Sequence, residues 1–328
     1  MGLADESIQS VLVCPAGCDA EGVESSSVEV ISHPVFDLPF MGHRNRKILI
    51  EQLEKFRPTV LHCLCESKAR LTRQLAQAMD LPYVLMVNSM QSRPGRLSIS
   101  ARRCAKIIVP AKSIAMNLTR IYPKFARRIE QINVGSFVGQ TSNCFSEPAR
   151  LASIVAAGVP RDPGEFENLF EAVRHLVIEG YEFMLVVMGA AAAEKQLRKL
   201  ISTLCLWQVV SIVPLLKSWR GVLAAVDIFV QPAVSYSFNP LLLEAMSVGA
   251  SVASCKGGVD DLIIEGQTAV VFDTDDQLSI KAALQRLLNS RDMARKLARS
   301  GQEYLRENYT VSNMIASILR SYEQAHNW

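Results

Sequence analysis

Short runs of β-branched and other apolar residues alternate along this chain with stretches whose apolar positions recur every three or four residues. The runs SVLVC, VEVIS, TVLHC, YVLMVN, KIIVP and IEQINV in the first half predict strands, separated by helices such as ILIEQLEKF and SKARLTRQLAQAMD. The second half repeats the scheme. LASIVAAG, EFMLVVMG, VVSIVP, DIFVQP, ASVASC and AVVFD predict strands, and GEFENLFEAVRHLVIEG, AEKQLRKLISTL and NPLLLEAMSVG predict helices between them. Because the strand runs are apolar on both faces, they suit parallel sheets covered by helices on two sides, which is α/β architecture.

The stretch VGSFVGQTSNCFSEPAR between the halves is rich in Gly, Ser, Thr and Asn, has no period, and reads as an interdomain connection. The expected organisation is a domain over 1–140, a linker over 141–150 and a domain over 151–309. After the last strand come SIKAALQRLLNS and RDMARKLARSGQEYLREN, and then a final helix over 310–328. Thr310 is its candidate N-cap, and Ile315, Ile318, Leu319 and Tyr322 form an apolar face that needs a partner surface.

Composition adds constraints. At 328 residues with 49% hydrophobic positions the chain can fill more than one core. Its 35 basic and 32 acidic side chains nearly cancel, which argues against a nucleic-acid partner or a disordered acidic tail. No apolar stretch reaches the ~20 residues that cross a bilayer, and the acidic start MGLADESIQS is unlike a signal peptide, so a cytoplasmic location is expected. The eight cysteines are scattered, mostly within apolar runs. Cys14 with Cys18, and Cys63 with Cys65 beside His62, lack CxxC spacing, so neither a metal site nor a cofactor is predicted.

The segment from Ser235 to Phe272, SYSFNPLLLEAMSVGASVASCKGGVDDLIIEGQTAVVF, resembles the donor-site region of retaining glycosyltransferases of family 4 (group 1) with the GT-B fold. That family reads E-x-F-G-x-x-x-x-E-A-x-A-x-G-x-P-V, then G-G-x-x-E, then D-G-x-x-G. Phe238, Glu244, Ala245, Met246, Gly249, Gly257, Gly258, Asp261 and Gly266 hold the corresponding places in order and spacing. RPTVLHC, LPYVLMVN and CAKIIVPAKSI resemble the family's first-domain strands. The resemblance implies two Rossmann-like domains facing a cleft, with a nucleotide or nucleotide sugar in it and a last helix that crosses back to the first domain. It assigns the donor to Glu244, Phe238, Asn239, Gly257, Gly258, Gly158 and Gly189. Glu244 can accept two ribose hydroxyls, or it can be an ordinary helix-surface carboxylate. The glycine pair lets backbone amides approach an anion, and a helix starting near Pro240 presents its positive end, although ordinary turns and helix starts look the same.

Several positions depart from the family. The diphosphate-binding Arg and Lys expected in the loop AAGVPRDPGEFENL are Val159 and Gly164, which leaves Arg161 as the nearby cation. Tyr236 replaces the first carboxylate of the E-x7-E pair, Asn239 a glycine, and Pro240 has no N–H to donate. Asn88 stands where a strand-end His is expected. SVLVCPAGCDAEGVESSSVEVISHP resembles the family's second and third strands, so the first domain is expected to be reduced and Val11, Val13, Val28 and Val30 to be covered by a second copy in a homo-oligomer or by the N-terminal segment.

Charge is also uneven. Residues 1–43 hold seven acidic side chains and no Lys or Arg, whereas 91–129 hold ten basic ones, from Arg93 to Arg128, and no acidic one. Such a basic region suits an anionic membrane surface, with peripheral binding there, or a phosphorylated acceptor. A solvated face paired with the acidic segment accounts for it equally well.

Each lost charged contact removes ~1.5–3 kcal/mol, so these departures together would slow transfer by several powers of ten. The expectation is a glycosyltransferase-like protein with weak or lost activity and a binding or scaffold role. The alternative is an active retaining transferase, in which Glu244 binds ribose, Arg161 neutralises phosphate, and Asn88 with His62 lines the acceptor side. The catalytic candidates are therefore Asn88, His62 and Arg161.

Overall fold

The computed structural model describes residues 6, 8–15, 28–35, 38–147, 149–157, 163–214 and 219–328. The chain divides into two compact units: unit 1 is Met1–Gly135 with Val311–Trp328, and unit 2 is Ser136–Thr310. Each of the twelve apolar runs contains a strand.

In unit 1, β1 (Val11–Cys14) pairs in parallel with β2 (Glu29–Ser32) as a separate two-stranded sheet. A parallel four-stranded sheet follows in the order β3 (Leu61–Cys63), β4 (Tyr83–Met86), β5 (Cys104–Val109), β6 (Ile129–Gln131). The helices α1 (Gly42–Phe56), α2 (Ala69–Ala78) and α3 (Lys112–Ile121) alternate with these strands. Leu49 and Leu53 of α1 and Leu75 of α2 form a cluster with Ile31, against which Val11, Val13 and Leu61 pack. The two sheets thus share a core, although β3 is hydrogen-bonded to β4 and not to β1. Val11, Val13, Val28 and Val30 are all half-buried, neither bare nor sealed.

Unit 2 holds one parallel six-stranded sheet of β7 (Ala152–Ala157), β8 (Phe183–Met188), β9 (Val210–Val213), β10 (Ile228–Gln231), β11 (Ser251–Cys255) and β12 (Val270–Phe272). Its order, β12-β11-β10-β7-β8-β9, is the doubly wound pattern in which strand order reverses between β7 and β10. The helices are α4 (Glu167–Ile178), α5 (Glu194–Thr203), α6 (Trp219–Ala224), α7 (Pro240–Ser247), α8 (Gln277–Asn289) and α9 (Arg291–Asn308). Leu169, Phe170, Val173 and Leu176 of α4 show why such segments fold as helices here: their three- and four-residue spacing gives one buried stripe.

The stretch 141–150, expected as a linker, is instead part of unit 2. Cys144 and Phe145 are buried in its core, and Ser142 Oγ donates to the Gly249 carbonyl at 2.5 Å. Asp227 explains the anchoring. Its buried carboxylate accepts from the Phe145 amide (2.7 Å), the Ser153 amide (2.8 Å), Ser153 Oγ (3.0 Å) and Arg150 Nη2 (2.7 Å). An aperiodic polar segment is thereby held by side-chain to backbone bonds instead of a ladder.

The final helix, α10 (Val311–His326), belongs to unit 1. Met314, Ile318, Tyr322 and Ala325 pack on Val84, Ala105, Ile108 and Ile132 of the four-stranded sheet and its margin. No described helix is long and apolar enough to cross a membrane.

Candidate functional site

Ligands of doubly wound sheets bind outside the carboxyl ends of the strands where the order reverses. In unit 2 that place is at the ends of β7 and β10. Gln231 ends β10, and the chain returns through 232–239 into α7. Asn239 is the N-cap of α7: its Oδ1 accepts from the amides of Leu241 (3.0 Å) and Leu242 (3.3 Å), while Nδ2 donates to Gln231 Oε1 (2.9 Å). Pro240 at the next position has no amide proton. The positive end of α7 is therefore occupied by the chain's own side chain, as Asn-Pro at a helix start favours.

One turn further on, Glu244 is mostly covered and forms an ion pair with Arg220 of α6. The guanidinium also donates to the Phe137 carbonyl at 2.6 Å and lies 3.5 Å from Ser247 Oγ. Phe238 is half-buried and, with Asn239, Leu242, Val259, Asp261 and Leu262, lines a cavity of about 10 Å³, room for no more than a water.

The glycine pair has a local backbone role. Gly258 bridges Ser235, and the Val259 amide donates to the Ser235 carbonyl at 2.7 Å. With φ +67° and only 2.2 Å between an added Cβ and Ser235 O, this position tolerates glycine alone. Gly258→Ala is expected to destabilise unit 2 by about 3 kcal/mol, read as a lower urea midpoint. Gly257, at φ +109°, donates its amide to Asp260 Oδ2 at 2.9 Å. Gly189 follows β8 at φ +84° and donates to the Val213 carbonyl. Gly158, Val159 and Arg161 lie outside the described residues, and Gly164 is exposed.

In unit 1, the expected acceptor-side residues are both engaged internally. Asn88 Nδ2 donates to the Leu64 carbonyl at 3.2 Å. His62 Nδ1 shares a 2.6 Å hydrogen bond with the Tyr322 hydroxyl of α10, and His62 Nε2 is buried without a partner. A residue the sequence reading passed over organises this strand edge. Glu66 Oε1 accepts from the amides of Asn88 (2.6 Å) and Ser89 (2.7 Å) and from Ser89 Oγ (2.9 Å). The available signal was an acid three residues past the strand run TVLHC.

Burial pulls the pKa of His62 down to about 4 and pushes that of Tyr322 up to about 12. Since the unfolded chain binds a proton near pH 6.5 and the folded one near 4, stability is lost as pH falls through that window, by on the order of 3 kcal/mol. His62→Gln is expected to flatten this dependence in unfolding measured between pH 7 and 4.

Part of the basic region is used structurally. Arg103 pairs with Asp80, and Lys106 with Glu130 at 3.0 Å. Arg128 donates to the carbonyls of Ala101 and Cys104 and stacks between Phe125 and Trp328. The acidic partners Asp80 and Glu130 lie outside the N-terminal segment, most of whose acidic residues are outside the described residues.

Residues 158–304 match the family described as Glycosyl transferases group 1. No curated protein matches the chain in sequence. Among solved structures it is similar to a glycosyltransferase from Rickettsia africae, at 14% identity and TM-score 0.81 over 98% of this chain and 92% of that one. It is also similar to HepE of Anabaena in complex with UDP-glucose, at 13% identity and TM-score 0.77 over 95% and 99%. The third is sucrose-phosphate synthase from Thermosynechococcus elongatus, at 16% identity and TM-score 0.74 over 97% and 99%. The fold is the α/β GT-B type, and residues 158–304, within unit 2, are the part of the chain that matches the group 1 glycosyltransferase family.

Proposed function

We propose that this protein binds a nucleotide sugar, or the nucleoside diphosphate derived from it, through unit 2, and that it transfers the sugar weakly or not at all. One observation carries the reading: the donors that would hold a diphosphate are already satisfied within the chain. Asn239 takes the first free amides of α7, and Asp260 takes that of Gly257. An anion must compete for those amides, and the transition-state charge on a leaving diphosphate gains correspondingly less. Binding is supported by the retained Glu244 and by HepE, whose structures hold UDP and UDP-glucose. Membership of the retaining family 4 is part of the same reading.

An active retaining transferase is favoured only by the preserved order of Phe238, Glu244, Gly257 and Gly258. That reading requires Arg161 as the phosphate cation. Exposed Arg93, Arg102, Arg120, Lys124 and Arg127 fit an anionic membrane surface or a phosphorylated acceptor as a second contact.

The test is incubation of the purified chain with UDP-glucose and with GDP-sugars. Saturating UDP is expected to raise the unfolding temperature, since ligand at about 100 times Kd stabilises by ~2.7 kcal/mol. Nucleotide release is expected to run about a thousandfold or more below the ~1–10³ s⁻¹ of ordinary enzymes. Turnover near 1 s⁻¹ would overturn the loss of activity, and absence of any shift would overturn nucleotide binding.

A further inference from the structure

We infer that Arg220 is a specificity-determining residue of the nucleotide site: it masks the Glu244 carboxylate and suppresses recognition of the ribose hydroxyls. The inference rests on the nucleotide-binding reading above and adds to it a reason why the retained glutamate is not by itself a competent ribose site.

A ribose diol offers two O–H donors, and a bidentate reading of it uses one carboxylate oxygen for each hydroxyl. Glu244 Oε1 is ion-paired with Arg220 and sealed from solvent. Arg220 is not a loose surface side chain that happens to lie near. Besides the carboxylate it has the Phe137 carbonyl at 2.6 Å and Ser247 Oγ at 3.5 Å, so the planar fork is held at three points. Two of these points, Glu244 and Ser247, sit one turn apart on α7, and the third comes from the strap that opens unit 2. To read the diol through both carboxylate oxygens, a nucleotide has to break the pair. Arg220 itself is about half exposed, so it has room to swing outward, whereas Glu244 is 16% exposed and stays in place. The ion pair therefore acts as a latch on the ribose acceptor, with the arginine as its movable part.

The experiment compares UDP with 2′-deoxy-UDP by calorimetric titration of wild type, Arg220→Ala, Arg220→Gln and Glu244→Gln. The ratio of the two Kd values reports on the 2′-hydroxyl and cancels whatever Arg220 does for the diphosphate. Wild type is expected to distinguish the two ligands by less than about threefold, as a masked acceptor would. Both Arg220 variants are expected to distinguish them by about tenfold or more, the range of a hydrogen bond to a charged group. In Glu244→Gln the ratio is expected to stay low. An unchanged ratio in both Arg220 variants would overturn the latch while leaving nucleotide binding intact, and a ratio that is high in wild type and falls in the variants would show that the guanidinium itself reads the hydroxyl. If no variant and not the wild type binds UDP, the latch and the nucleotide-binding reading fail together. The paired substitutions and a check of each unfolding midpoint separate these results from a folding defect.

Discussion

Ending the chain at Thr310 is expected to leave unit 1 without a cooperative fold. Helix α10 covers the apolar surface formed by Val84, Ala105, Ile108 and Ile132, and contributes Met314, Ile318, Tyr322 and Ala325 to that cluster. Full burial of a large apolar side chain is worth ~1.5–3 kcal/mol, so three of them, partly buried, contribute several kcal/mol. That is comparable to the whole stability of a typical domain, ~5–15 kcal/mol. Losing Tyr322 also strands His62, whose Nδ1 has the Tyr322 hydroxyl as its partner. Calorimetry of the shortened chain should show the unit 1 transition missing, with apolar dye binding at neutral pH. The milder Ile318→Ala is expected to lower that transition without removing it, and a shortened chain that unfolds like the intact one would show that the sheet is stable bare.

Asp227→Ala is expected to cost unit 2 about 3–5 kcal/mol. The carboxylate is 2% exposed and accepts from two amides, a hydroxyl and a guanidinium. Alanine would leave the Phe145 and Ser153 amides without an acceptor and Arg150 without its counter-charge. It would also loosen Phe145 from the start of β10, although Ser142 to the Gly249 carbonyl and Arg295 to the Phe145 carbonyl remain as ties. Asp227→Asn keeps the shape, provides one acceptor oxygen and loses the charge, so an intermediate cost is expected. Urea unfolding of the three proteins should rank them wild type, Asn, Ala, and equal midpoints for Asp227→Ala and wild type would rule out this anchoring role.

The strands were legible because a parallel sheet covered on both faces needs continuous apolar runs, and few other elements produce them at such short length. Helices with a strong stripe, such as α4 and α10, were equally plain. Helix α3 was not: Lys112, Ser113, Asn117, Thr119 and Arg120 surround the buried Ile114 and Leu118, so charge drew the reading toward a basic face and away from a helix. Helix α6 is six residues with one buried apolar position, too short to show a period.

At the candidate site, Glu244 was singled out by its spacing from Phe238, Gly249 and the glycine pair, all close to it in sequence. Arg220 could not be found that way. It reaches Glu244 from a different helix, and pairing across a fold has no fixed spacing. Asn239 presented the opposite difficulty: Asn before Pro is a helix-start signature in its own right. The resemblance assigns Asn239 to the donor, whereas in the structure its side chain caps α7.

The place of α10 in the chain sets an order of synthesis. Ribosomes deliver residues from the N-terminus, and domains generally fold as units as they emerge. Unit 2 is continuous from Ser136 to Thr310, so all of its strands are delivered before α10. Unit 1 is made first and finished last: its sheet waits through the translation of the whole second unit with Val84, Ala105 and Ile108 uncovered. During that interval the nascent chain presents an apolar face of the kind that chaperones bind, and the arrival of Met314 through Ala325 closes it.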